Sequence, residues 1–211
     1  MTRESWPRRT APLEPVGTAL LVIDVQKGIL HPGAALQRPR FHNSATEVAV
    51  PNIRRLLEAA RASGAEVIYT VIQSLTRDGR DRSIDYKETG FHFPPESEAA
   101  EVCDAVRPMA DEIVLPKTSS SLFNSTIFDY LLRNMGLDTV IVTGFLTDQC
   151  VDHTMRDGAD RGFRMICATD ACTTDTAERH EAALAAFRGY GRQATTAEII
   201  AELHGPSVAP T

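Results

Sequence analysis

Short, nearly continuous apolar runs alternate along this chain with longer stretches whose apolar residues recur every three or four positions. Residues 18–25 (TALLVIDV) are short, rich in β-branched side chains and apolar almost throughout, the pattern of a strand covered on both faces. Pro51 can open a helix at its first turn; Ile53, Leu56, Leu57 and Ala60 then share one face, and Gly64 closes it. Four more runs read as strands: 65–72 (AEVIYTVI), 111–116 (DEIVLP, stopped by its proline), 138–144 (DTVIVTG) and 163–170 (FRMICATD). A helical pattern begins at Ile127 with Gly136 as its C-cap, and others cover 148–161, 176–187 and 196–203.

Strands that alternate with helices imply right-handed crossovers and an α/β fold, a mostly parallel sheet with helices on both faces. Residues 74–97 (SLTRDGRDRSIDYKETGFHFPPES) resist the pattern. This stretch is charged, carries two adjacent prolines and follows a strand's C-terminal end, where open α/β sheets bind their ligands. A loop so long inside a compact fold is functional or mobile. The first 17 residues, with Pro7, Pro12 and Pro15, read as an extended arm, which leaves 18–211 as one domain.

Composition narrows the classes further. A chain of 211 residues has room for one domain with insertions and needs neither disulfides nor a metal to hold its core. Its 43% hydrophobic and 24% charged residues exclude collagen-like, coiled-coil and disordered classes. A formal charge of −6 argues against a nucleic-acid or membrane-surface partner, since both favour basic surfaces. The arginines near the N-terminus precede no apolar run of the signal-peptide kind. The expected location is therefore the cytoplasm, where four cysteines stay reduced.

The C-terminal ends of the expected strands hold the reactive side chains. Asp24 ends the first, Lys117 follows the third, and the fourth leads through FLTDQC to Cys150. A carboxylate, an amine and a thiol thus leave one edge of one sheet. A thiol near a helix N-terminus has its pKa lowered by unsatisfied amides, and Thr147 or Asp148 can cap that helix. A neighbouring carboxylate can take the thiol proton, and an ammonium can favour both charged forms. Backbone amides of the turn can receive an oxyanion. Singly, each residue has a plain reading: packing for the thiol, solvated charge for the other two.

Three stretches, LLVIDVQ (20–26), VLPKTSSSLFNST (114–126) and VIVTGFLTDQCVDHTMRDGADRGF (140–163), resemble in order the signatures of the isochorismatase-like cysteine hydrolases. That superfamily includes nicotinamidases, carbamoylsarcosine and ureidoacrylate amidohydrolases, and biuret hydrolase. The resemblance runs from about residue 18 to 203 and is specific for the superfamily, not for one substrate. It implies a three-layer α/β/α fold on a six-stranded sheet, and a homo-oligomer. It further implies Asp24 as general base, Lys117 as its paired lysine and Cys150 as nucleophile. A cis peptide is implied between Phe145 and Leu146, aiming the Leu146 amide, with that of Cys150, at the oxyanion.

Two departures sharpen this reading. The stretch YTVIQSLTRDGRDR lacks the histidines with which nicotinamidases hold a metal, so neither metal nor cofactor is expected. Isochorismatases that cleave a vinyl ether lack the cysteine, so Cys150 favours hydrolysis of a C–N bond, in a small amide or ureido substrate, through a thioester. Two alternatives stay open: a non-catalytic binding or thiol-redox member of the fold, and hydrolysis of a non-amide bond.

For the substrate pocket, Gln26, Gln73 and Phe123 lie near the reactive strand ends, Gln26 on the strand side of Asp24 where it can orient the base or the substrate, and Arg77 and Tyr86 lie in the charged loop. Arg77 with Arg80, Arg82 and Lys87 suits a cationic rim, and Tyr86 with Phe91 suits a cover for an acyl chain. His153, one helical turn past Cys150, makes a Cys–His dyad conceivable, although Asp24 already supplies a base. Cys103, Cys167 and Cys172 read as packing, the first on a helical stretch, and ERHEAAL around His180 lacks the second histidine of a zinc-protease helix.

Overall fold

Side-chain parity in the central strands decides the architecture. In the first strand Leu20 and Val22 enter one hydrophobic layer while Ala19, Leu21 and Ile23 enter the other. Every residue of that strand is buried, which demands cover on both faces. The computed structural model describes residues 9–205. Its strands are β1 (Thr18–Ile23), β2 (Glu66–Ile72), β3 (Ile113–Lys117), β4 (Thr139–Phe145), β5 (Arg164–Thr173) and β6 (Arg192–Ala194). They form one parallel sheet in the order β3-β2-β1-β4-β5-β6.

The helices are α1 (Pro32–Gln37), α2 (Pro39–Ser44), α3 (Val50–Ser63), α4 (Ile84–Thr89), α5 (Leu122–Ser125), α6 (Phe128–Asn134), α7 (Asp152–Asp160), α8 (Ala177–Phe187) and α9 (Thr196–Leu203). One face of the sheet packs against α3 and α9, through Ile53, Leu56 and Ile199. The other packs against α5 to α8, through Leu122, Phe128, Met155 and Phe187. The six-stranded three-layer expectation is met. None of the helices of the described residues is long and apolar enough to cross a membrane.

Local chemistry sets the element ends. Gly64 stops α3 in the left-handed conformation, φ 79°. Thr176 caps α8, and Thr195 with Glu198 forms a reciprocal capping box on α9. Pro32 and Pro39 open α1 and α2, two helices that the periodicity did not mark because each lasts six residues. β6 was equally invisible: Arg192, Gln193 and Ala194 carry no strand pattern, and only pairing with Ile166–Ala168 defines them.

The 74–97 stretch is not structureless. Ser83 accepts the Tyr86 amide and starts α4 within it. The helix expected over 148–161 begins instead with a π-helical turn, Thr147–Val151, before α7. Cys103 precedes a short 3₁₀ turn, Asp104–Val106, and does not sit on a longer helix. The first eight residues of the expected arm lie outside the described residues. Its remainder docks along the sheet: Leu13 is buried in the α3 layer, and Arg164 holds the Pro12 and Ala11 carbonyls.

The strand order reverses between β1 and β4, and this switch point is where two crossovers diverge and leave a crevice. Gly144 lies there with φ 106°, and a Cβ at that position would overlap the Ile23 carbonyl oxygen and lie 2.7 Å from its amide nitrogen. Only glycine permits both the backbone conformation and that approach. Gly144→Ala is expected to lower stability by about 3 kcal/mol or more. Urea unfolding measures this; an unchanged midpoint would contradict so close a β1–β4 contact.

Candidate active site

Three strand ends deliver their side chains to the crevice. At the end of β1, Asp24 takes a left-handed conformation, φ 56°, which turns its carboxyl out of the strand's alternation. Thr70 Oγ1 donates to Asp24 Oδ1 at 2.9 Å. Lys117 ends β3, has no solvent exposure, and carries its ammonium to 2.9 Å from Asp24 Oδ2. Cys150 lies in the π-helical turn that follows β4, just after a cis peptide between Phe145 and Leu146.

Lys117 is the hub. Its Nζ donates to Tyr86 Oη at 2.8 Å, to the Ser119 carbonyl at 3.1 Å and to Cys150 Sγ at 3.3 Å. Asp24 Oδ2 forms a direct ion pair with the same ammonium at 2.9 Å and meets no other polar partner among the described residues. The Cys150 sulfur is approached from three directions, by Lys117, by Ser120 Oγ at 3.6 Å and by Tyr86 Oη at 3.7 Å. Ser120 in turn pairs with His153 Nδ1 at 2.9 Å.

Burial opposes each charged form, and the neighbours decide the outcome. It would push the Lys117 amine down, but the facing Asp24, Cys150 and Tyr86 groups hold it well above its ordinary range. Burial pushes the Cys150 thiol up; Lys117 counteracts this and Asp24 reinforces it, leaving the thiol above its usual value. The resting sulfur is thus a thiol that needs a base. This reverses the lowering expected from a helix N-terminus, because desolvation outweighs it. Burial also raises the Tyr86 phenol, which remains a neutral donor.

The structure brings Asp24, Lys117, Tyr86 and Cys150 together, and separates the rest of the expected pocket. Gln26 is buried, but its amide is spent on backbone: Nε2 donates to the Ile72 and Ala99 carbonyls, and Oε1 accepts the Ile72 amide at 2.7 Å. It braces the strand end and has nothing left for a substrate. Ile72 lines the thiol's cavity, so its neighbour Gln73 points into a different cleft. Arg77 extends into solvent beside Glu96. Phe123 packs between Phe128 and Phe163 beneath the sheet. Neither Thr147 nor Asp148 caps the turn: Thr147 pairs with His180, and Asp148 is taken by Arg179 and Thr174.

Residues outside the expected set complete the site. Thr70 orients the base, Ser120 meets the sulfur, and Arg38, Ile29 and Gln149 line the cavity with Phe91. The TSSS run after Lys117 is the sequence signal that marks Ser120; nothing local marks Thr70. The cavity is small, ≈ 20 Å³, room for about one water molecule. A larger cleft of ≈ 710 Å³ lies by Lys27, His31 and Cys103, where burial pushes the Cys103 thiol up to about 11. Among the described residues no three His, Cys, Asp or Glu side chains gather as a metal site.

Known proteins resemble this chain in sequence and in fold. Residues 18–199 match the isochorismatase domain family. The chain is 33% identical over 153 residues to an N-carbamoylsarcosine amidase from an Arthrobacter species, an alignment covering 70% of this chain and 56% of that one. It therefore spans little more than half of that relative's length. A ureidoacrylate amidohydrolase RutB from Methylobacterium radiotolerans is 32% identical over 232 residues, covering 97% of this chain and 87% of its own. Among solved structures, a cysteine hydrolase from Pseudomonas syringae pv. phaseolicola superposes with a TM-score of 0.82 at 29% identity, covering 95% and 98% of the two chains. An N-carbamoylsarcosine amidase from Thermoplasma acidophilum gives 0.70 at 28% identity, covering 85% and 96%.

Lys117→Met leaves the Asp24 carboxylate buried without its counter-charge, and is expected to cost about 3–5 kcal/mol of stability in urea unfolding. Adding Asp24→Asn should recover part of that loss. Because the amine's value is raised on folding, its stabilisation is complete below the unfolded value of about 10.4 and fades as pH rises through the folded one. The Met variant should lack that alkaline decline.

Proposed function

The chain belongs to the isochorismatase family, and from that premise we propose that it is an amidohydrolase that cleaves a C–N bond of a small ureido or carbamoyl compound through a Cys150 thioester. The observation that carries this reading is the buried Asp24 carboxylate, paired with Lys117 at 2.9 Å, in the same cavity as a thiol that needs a base. The names of the two relatives, a carbamoylsarcosine amidase and a ureidoacrylate amidohydrolase, support the bond type.

Asp24 takes the Cys150 proton as the sulfur attacks the carbonyl carbon. The Lys117, Ser120 and Tyr86 donors hold the thiolate as its charge appears. The tetrahedral oxyanion is received by the Leu146 and Cys150 backbone amides. Asp24 then gives its proton to the departing nitrogen, the C–N bond breaks, and a thioester remains. A water molecule, deprotonated by the same carboxylate, attacks the thioester; the carbon–sulfur bond breaks and the proton returns to sulfur. Lys117 stays protonated throughout, because every group it faces favours the ammonium.

Cys150→Ala should abolish ammonia release from ureido acids while leaving the fold intact by circular dichroism. Asp24→Asn should reduce kcat by about 10³-fold or more. Intact-mass measurement after mixing with carbamoyl and ureido compounds should show an acyl adduct on the parent protein. Oxidation of Cys150 without any acyl adduct would instead support the non-catalytic thiol reading. Because the thiol lies above its ordinary value, iodoacetamide should label Cys150 slowly at pH 7 and faster as pH rises past about 8.5.

A further inference from the structure

We propose that Arg38 anchors a carboxylate on the substrate, so that the compound cleaved is a ureido or carbamoyl acid. The inference rests on the amidohydrolase reading and names the substrate class of the same site. It begins with a corner in the chain. Pro39 disfavours helical backbone at the residue before it, and Arg38 sits at φ −135°, ψ 60°, between α1 and α2. Its amide still bonds to the Ala34 carbonyl at 2.8 Å, which fixes the corner on the preceding helix.

The side chain is held on two sides. Nε donates to Asp175 Oδ1 at 2.6 Å, and the guanidinium lies 4.3 Å above the centre of the Phe41 ring. Phe41 is itself buried edge-on against Phe145, the residue that begins the turn to Cys150. Asp175 is steadied in turn by Arg179, which also holds Asp148. One edge and one face of the guanidinium are thereby occupied, while both Nη atoms meet no acceptor among the described residues.

Position and chemistry select the ligand. Arg38 lines the cavity that contains Cys150 and Asp24, and among the described residues it is the one cation doing so. Lys117 cannot serve, because Asp24, Tyr86, Ser119 and Cys150 already surround its buried ammonium. Arg77 cannot serve, because it stands in solvent. A fixed planar fork with free Nη donors suits a carboxylate, which two parallel hydrogen bonds can engage. The sequence offered the arginines of the charged loop for this task; the fold assigns it to the Arg38–Pro39 corner.

The test separates binding from turnover. N-carbamoylsarcosine and its methyl ester are titrated calorimetrically into Cys150→Ala protein, which cannot consume them, with and without Arg38→Gln. The acid should bind the Arg38 protein and weaken by about 100-fold on Arg38→Gln, while the ester changes by less than about threefold. Equal affinity for acid and ester, equal weakening of both, or no binding of either to the Arg38 protein would overturn the proposal. Should Arg38→Gln fail to fold, Arg38→Lys, which keeps a charge beside Asp175, is read by the same ratio. Acid-selective, Arg38-dependent binding with no product from the Cys150 protein would leave this inference standing and overturn the hydrolase reading instead.

Discussion

An ammonium with no access to water is the constraint around which this molecule is arranged. Desolvating such a charge costs several kcal/mol after relaxation, so Lys117 is tolerable only where compensation is complete. Asp24 supplies the charge, and Tyr86, Ser119 and Cys150 supply the acceptors. Each comes from a different element, so the pair fixes the relative positions of β1, β3, α4 and the turn after β4. The carboxylate is engaged on both oxygens, by Lys117 at Oδ2 and by Thr70 at Oδ1, and it lines the cavity that holds the thiol.

The fold makes that arrangement possible through its central crevice. Asp24 and Cys150 come from β1 and β4, adjacent strands whose crossovers diverge, and Lys117 reaches them past the end of β2. Gly144 lets β4 approach the end of β1 where any side chain would collide. The left-handed Asp24 then turns its carboxyl toward the crevice. Gln26 secures the same strand ends by closing three bonds to backbone groups. Sequence reasoning offered Gln26 as orienting the base or the substrate, and its bonds go to the backbone frame around the base.

The cavity is nearly filled, and its walls come from segments that look unrelated along the chain. α4 contributes Tyr86, whose phenol links ammonium and sulfur; the α1–α2 corner contributes Arg38; the π-helical turn contributes Gln149 and the nucleophile. A site of ≈ 20 Å³ must enlarge to accept even a small ureido compound, and the parts outside the sheet are those free to move. The sheet-borne Asp24 and Lys117 are held by strand pairing and by full burial, so opening can occur without disturbing the base.

The sequence by itself determined five strands of the central sheet, their alternation with helices, and the convergence of Asp24, Lys117 and Cys150 at one sheet edge. Those features are written locally: buried parallel strands are continuous apolar runs, and reactive groups stand at their ends. It also marked Tyr86, although in a loop whose short helix it did not disclose. It did not disclose that Gln26, Gln73, Arg77 and Phe123 are turned to other neighbours, or that Thr70 meets Asp24, Ser120 meets Cys150 and Arg38 lines their cavity, because side-chain direction and unspent hydrogen-bonding capacity are properties of neighbours distant in sequence. It expected a thiol activated by a helix end, whereas burial holds the sulfur protonated until Asp24 acts. A polar residue's chemistry can be read from its type, but whether it is available depends on which groups the tertiary structure has already set against it.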